Sequence, residues 1–204
     1  RSDGLNPYPH EYDRTNIISE IIDKYEGNMD SDQESEEVVK LAGRITAIRD
    51  MGKACFFDLK DGSSKIQGYT SGDELGEQRY GLLKELDIGD FIGIEGPVFK
   101  TRRGELSIRT EEFTLLSKSL RPLPEKWHGL RDVEKRYRQR SLDLLSNDEV
   151  KETFIKRSRV LSSFRRTLDE KDFLEVETPI MQPIAGGATA EPFITHHNAC
   201  DQDL

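Results

Sequence analysis

Met51-Gly52-Lys53-Ala54-Cys55-Phe56-Phe57-Asp58-Leu59-Lys60-Asp61-Gly62-Ser63-Ser64-Lys65-Ile66-Gln67-Gly68-Tyr69 is the stretch on which the fold turns. Ala54–Leu59 and Lys65–Tyr69 read as two short strands. Asp61-Gly62 between them is a strong hairpin signal, because these residues accept the positive φ of a tight turn. Successive side chains on a strand leave opposite faces, so Phe56 and Phe57 must point apart. One fills an interior and the other is free on the outer face. A core position is the commoner fate of an aromatic, and the pattern alone does not say which of the two lies inside.

Outward from this hairpin the same short-strand pattern continues. Val38–Ile48 precedes it. After it come Leu75–Leu86, with apolar residues near helical spacing, and then Asp90–Phe99 and Glu105–Leu116. Five strands with one helix between the third and fourth is the order of an OB-fold β barrel. Gly43, Gly68, Gly93 and Gly96 fall inside strands, where such a barrel needs bends or bulges. OB barrels take single-stranded nucleic acid on one face, stacking bases on aromatics. Lys100, Arg102 and Arg103 crowd the last hairpin tip and suit phosphate contacts. A solvated charged turn is the ordinary alternative.

The flanks differ. Residues 1–37 form a polar N-terminal extension. Asn6-Pro7-Tyr8-Pro9-His10 cannot be helical at its prolines. Ile17, Ile18, Ile21, Ile22 and Tyr25 recur at helical spacing and predict a short amphipathic helix. Asp30–Glu37 is an acidic run, read as a solvated connector. The barrel occupies 38–117. A linker, 118–130, contains the stiff Arg121-Pro122-Leu123-Pro124. In 131–204 the period returns to helical. Asp132–Leu145 predicts one helix, on which Arg136 and Arg140 share a face; a salt-bridged surface helix is an equal reading. Asn147 or Asp148 caps a second helix running to about Lys171, with Phe154, Ile155, Val160, Leu161, Phe164 and Leu168 on its apolar side. Phe173–Glu177 predicts a short strand ending at Thr178-Pro179. His196 and His197 point apart on a strand, and no further ligands stand at metal spacing.

Hydrophobic and charged residues each make up 34% of the 204 residues, which fits folded domains with a generous solvated surface. The formal net charge of −9 argues against whole-surface attraction to nucleic acid, so RNA binding must use local basic patches. Cys55 and Cys200 lack metal-ligand spacing and suit a reducing, cytoplasmic setting. No apolar run reaches about 18 residues, and no signal pattern opens the chain. The opening without Met reads as a trimmed start.

Four strings lie in order in the second half: Arg121-Pro122-Leu123-Pro124-Glu125-Lys126-Trp127-His128-Gly129-Leu130, Arg136-Tyr137-Arg138-Gln139-Arg140, Phe173-Leu174-Glu175-Val176-Glu177-Thr178-Pro179 and Gly186-Gly187-Ala188-Thr189-Ala190-Glu191-Pro192-Phe193-Ile194-Thr195-His196-His197-Asn198. With the barrel ahead of them, the chain resembles the class II lysyl-tRNA synthetases over nearly its whole length. Aspartyl- and asparaginyl-type relatives share the architecture; the linker and the His-His-Asn ending favour lysine. The family usually has Tyr after the last Arg of Tyr-Arg-Gln-Arg, where this chain has Ser141.

The resemblance implies an anticodon-binding barrel followed by the start of an α+β catalytic domain containing motif 1. It selects Phe56 as the base-stacking aromatic and Arg44, Gln67 and Glu105 as the other anticodon-facing residues. Lys100, Arg102 and Arg103 would contact the tRNA backbone. Gly186, Gly187 and Ala188 would form the lysine-substrate loop. Phe164 and Pro179 would lie at a homodimer interface. The implied activity is lysine–tRNA ligase: lysine is activated with ATP and Mg²⁺ and transferred to tRNA(Lys) in the cytoplasm. The catalytic and metal-binding residues of that activity are expected outside this chain, which should not aminoacylate alone. A non-catalytic tRNA- or RNA-binding OB module and a protein-interaction scaffold are the alternatives from other classes.

Overall fold

Hydrogen-bonded strand pairing closes the first part of the chain on itself. The computed structural model describes residues 6, 8–123, 130–184 and 191–204, in two units, Arg1–Trp127 and His128–Leu204. In the first unit a helix, α1 (Ile18–Tyr25), precedes strands β1 (Glu34–Asp50), β2 (Ala54–Lys60) and β3 (Lys65–Ser71). Two short helices, α2 (Gly72–Leu75) and α3 (Glu77–Lys84), lead to β4 (Phe91–Lys100), β5 (Leu106–Arg109) and β6 (Glu112–Ser117). β1, β2 and β3 form an antiparallel meander. β3 then pairs parallel with β5, β5 antiparallel with β4, and β4 antiparallel with β1, which completes a ring.

The single strand expected over Glu105–Leu116 is two. β4 pairs with β5 through Val98–Lys100 and with β6 through Phe91–Glu95. The break falls at Thr110-Glu111, whose N–H groups turn to the carbonyls of Tyr69 and Glu95 at 2.7 and 2.9 Å. Gly96 sits under this break. A Cβ there would lie 1.8 Å from the Arg109 carbonyl oxygen, so only glycine lets the strands approach.

Period-two alternation fills the interior. Val39, Leu41 and Ile45 of β1, Phe57 and Leu59 of β2, Ile92, Ile94 and Val98 of β4 and Ile108 of β5 are all buried. Phe57 is thus the core aromatic and Phe56 the outer one. The Phe57 ring lies across its register partner Gly68, where a Cβ would come within 2.3 Å of the ring.

The N-terminal helix belongs to this core, since Ile18 and Ile21 are buried in it. Both helix ends are satisfied by the barrel. The Ile18 and Ser19 N–H groups donate to Asp61 Oδ2 (2.9 Å) and Ser63 Oγ (3.0 Å) of the β2–β3 turn. At the other end Lys100 Nζ donates to the carbonyls of Glu26 and Met29, each at 2.9 Å. These groups replace the partners a helix end lacks, and a cap is worth about 1 kcal/mol. The acidic connector expected over Asp30–Glu37 is in part strand, because Glu34–Glu37 open β1.

The second unit holds α4 (Val133–Arg138), α5 (Arg140–Ser146), α6 (Asp148–Asp169) and a two-stranded ribbon, β7 (His196–His197) with β8 (Gln202–Asp203). The one helix expected over Asp132–Leu145 breaks at Gln139, whose φ of −120° and ψ of 57° are not helical. Asp143, fully buried, then receives Arg136 Nε at 2.8 Å, Asn147 Nδ2 at 2.6 Å and Arg140. Arg136 and Arg140 therefore form an internal clamp on a buried carboxylate. Burial pushes that carboxyl up, but these donors more than offset it and hold it below its ordinary value of 3.8. The strand expected over Phe173–Glu177 has no ladder partner among the described residues. α6 exposes Phe164 and Leu168 on its apolar side.

Candidate nucleic-acid interface

The outer face of β1, β2, β3 and β5 carries two adjacent rows of side chains. Arg49 lies opposite Phe56, Phe56 opposite Tyr69 and Tyr69 opposite Arg109. In the next row Ala47 lies opposite Asp58, Asp58 opposite Gln67, and Gln67 opposite Ser107. Phe56 and Gln67 are diagonal neighbours on this face, both partly exposed. A flat ring beside an amide is the arrangement that stacks a base and reads its edge.

Each member is held by its neighbours. The Phe56 and Tyr69 rings lie 5.0 Å apart at 51°. The Ser107 hydroxyl donates to Gln67 Oε1 at 3.1 Å, which leaves the Gln67 NH₂ to donate outward. Asp58 receives Arg49 Nη2 at 2.8 Å and Lys65 Nζ at 3.2 Å. Burial pushes the Asp58 carboxyl up; the two cations more than compensate and keep it below the usual carboxylate range.

Arg44 is not part of this group. Its guanidinium stacks 4.1 Å from the Phe91 ring centre and donates to the Gly89 carbonyl at 3.0 Å. Burial pushes its guanidinium below the ordinary value. The arginine that register places beside Phe56 is Arg49. The signal was present in sequence, but a bulge between Ile45 and Ala47 shifts the register, and counting alternate residues from Arg44 misses it.

The tip residues also divide. Lys100 caps α1 and is spent on that role. Arg102 and Arg103 stay exposed, Arg102 within 3.6 Å of Asp32. Glu105 is exposed at the hairpin tip, just before β5. Gly186, Gly187 and Ala188 lie outside the described residues. Phe164 is 66% exposed on α6, and Pro179 is exposed beyond it.

Two family models match. The OB-fold nucleic acid binding domain covers residues 39–116, and the class II tRNA synthetases of the D, K and N group cover 132–204. The barrel is thus similar to an OB-fold nucleic acid binding domain, and the segment after it to the class II tRNA synthetases. Across its full length this chain is 55% identical to a lysine–tRNA ligase of Carboxydothermus hydrogenoformans, of which it covers 41%. It is 53% identical to that of Pelotomaculum thermopropionicum, covering 39%, and 50% identical to that of Bacillus cereus, covering 41%. The chain thus spans about two-fifths of the length of the curated relatives it matches. No helix of the described residues is long and apolar enough to cross a membrane. Among the described residues no three His, Cys, Asp or Glu side chains converge to hold a metal ion.

Proposed function

We propose that this chain is the anticodon-binding and motif 1 part of a cytoplasmic lysine–tRNA ligase. The parent enzyme would activate lysine with ATP and Mg²⁺ and charge tRNA(Lys). Full-length identity to lysine–tRNA ligases, at 50–55%, is the observation that carries this reading. The outer face of the barrel supports it. Phe56 stacks an unpaired anticodon base, Gln67 and Arg49 contact its edge, Glu105 lies further along the strand path, and Arg102 and Arg103 meet phosphates. On this reading the ATP and Mg²⁺ sites belong to the rest of the parent enzyme, and this chain should not aminoacylate alone. The Gly186-Gly187-Ala188 loop is assigned to lysine on the family pattern.

A homodimer through motif 1 is part of the same reading. Val160, Leu161, Phe164 and Leu168 leave one side of α6 exposed, and an apolar stripe of this kind is normally covered. Phe164 and Pro179 are the contacts proposed.

Fluorescence titration of a lysine anticodon stem-loop tests the RNA reading. Phe56→Ala should weaken binding by about 1–3 kcal/mol, the worth of one base stack. An unchanged dissociation constant removes Phe56 from the site.

A further inference from the structure

The row of aromatics does not stop at Phe56. Tyr69, its register partner, reaches a third ring, Phe99 of β4, at 5.8 Å and 67°. Phe99 pairs with Ser107, whose small side chain leaves room for the two rings to meet across it. Arg109, opposite Tyr69, turns its guanidinium over the Phe99 ring at 5.1 Å. All three side chains are partly exposed.

Arg109 is also tied down. It is ion-paired to Glu34 and, at 3.0 Å, to Glu74. Burial pulls its guanidinium down, but the two glutamates hold it above the ordinary value. One cation between two carboxylates leaves a local excess of negative charge, which repels phosphate. A planar guanidinium fixed over a ring, with its charge already answered, offers a flat surface rather than a phosphate clamp.

We propose that Tyr69, Phe99 and Arg109 form a second base-stacking position, one strand beyond the first, for the unpaired base that neighbours the one on Phe56. The proposal rests on the reading of the Phe56 face as the RNA site. The chemistry it needs is that of any unstacked base, because every base has a π face and aromatic platforms take successive bases of a single strand. Strands lie about 4.8 Å apart, so a step from β2 to β3 moves the platform by a distance that one nucleotide can span.

The test uses the whole 204-residue chain and anticodon stem-loops, either intact or with one loop nucleotide made abasic in turn. Tyr69→Leu and Phe99→Leu should each weaken binding of the intact loop by about five- to 150-fold, the range for one stacked base. One abasic loop should show no further loss with these variants. A different, adjacent abasic loop should be the one insensitive to Phe56→Ala. Tyr69→Trp keeps a platform and should bind within about twofold of the parent. It also serves as the folded control, and circular dichroism checks the others. If Phe56→Ala weakens binding while Tyr69→Leu and Phe99→Leu do not, the second position is refuted and the first stands. If the same abasic loop silences Phe56 and Tyr69, there is one position and the proposal fails. If no ring matters, this face is not the RNA site.

Discussion

Ser107 Oγ lies 3.1 Å from Gln67 Oε1, across the parallel pairing of β3 with β5. Ser107 is fully buried, and its hydroxyl also reaches the Glu105 carbonyl at 3.3 Å, so two oxygens share its one proton. The shorter bond, to Gln67, favours the amide turned with its NH₂ outward.

Ser107→Ala should therefore let the amide turn. One hydrogen bond is worth about 0.5–1.5 kcal/mol, so the preferred stem-loop should bind roughly two- to tenfold more weakly. Stem-loops altered at the base that Gln67 reads should lose less. Titrating both kinds separates the two effects. Equal losses for every stem-loop would mean that Ser107 supports the strand and not the amide.

The two arginines of β1 should behave differently. Arg49→Ala should weaken stem-loop binding, because Arg49 stands beside Phe56 on the outer face. Arg44→Ala removes a stack on Phe91 and a bond to Gly89, and should lower stability by about 1–2 kcal/mol with little change in RNA affinity. Urea unfolding and titration of the same two proteins check both statements. The opposite pattern would restore Arg44 to the site.

A similar division is expected at the hairpin tip. Lys100→Ala should destabilise the barrel by about 0.5–1 kcal/mol, the cost of removing a cation from a helix C-terminus, and leave the salt dependence of binding unaltered. Replacing Arg102 and Arg103 together by Ala should flatten the log–log salt slope by about 0.7 for each single-strand phosphate that is no longer neutralised. Base preference should survive, since binding to phosphates carries no sequence information directly. A slope that follows Lys100 instead would contradict the capping role.

In the second unit the acid behaviour follows from Asp143. Its folded carboxyl lies below the ordinary 3.8. The contribution of the ionised clamp is therefore complete above the unfolded value and is lost as pH falls through the folded one, that is, below about pH 4. Amide exchange over Val133–Ser146 should accelerate in that window. Asp143→Ala should produce the same exchange at neutral pH, because Arg136, Arg140 and Asn147 then lose their shared partner. Protection that persists in Asp143→Ala would show that the clamp does not hold these helices.

Much of the barrel was legible in the residues themselves. Asp61-Gly62 announced the hairpin, although neither residue takes the positive φ expected there and the turn is held instead by the Ser63 and Ser64 N–H groups donating to Asp61 Oδ1; alternation from Cys55 to Leu59 separated Phe57 from Phe56 once the interior was known. What pattern could not supply was register. The bulge after Ile45 decides whether Ile48 or Arg49 meets Phe56, while Arg44 stays opposite Lys60, and it depends on β4 and β2 pairing with β1 at once. The break at Thr110-Glu111 likewise depends on the carbonyls of Tyr69 and Glu95, distant in sequence. Lys100 looked like a tip cation because its partners, the carbonyls of Glu26 and Met29, belong to a helix end and the turn after it, more than 70 positions earlier. The Arg136–Asp143–Arg140 clamp was half visible, since shared spacing was plain and burial was not. The strand expected over Phe173–Glu177 shows the limit of propensity, because a strand also needs a neighbour to take its N–H and C=O groups.

Helix α1 is fastened at one end to the β2–β3 turn and at the other to Lys100, at the root of the β4–β5 hairpin. Eight residues span about 12 Å at 1.5 Å each. The helix is therefore a spacer of fixed length between two loops of the barrel. Adding or removing one residue would turn everything beyond it by about 100°, taking either Ile18 and Ile21 out of the core or the C-terminal carbonyls away from Lys100. Exposed positions of this segment can change identity freely, whereas its residue count cannot drift.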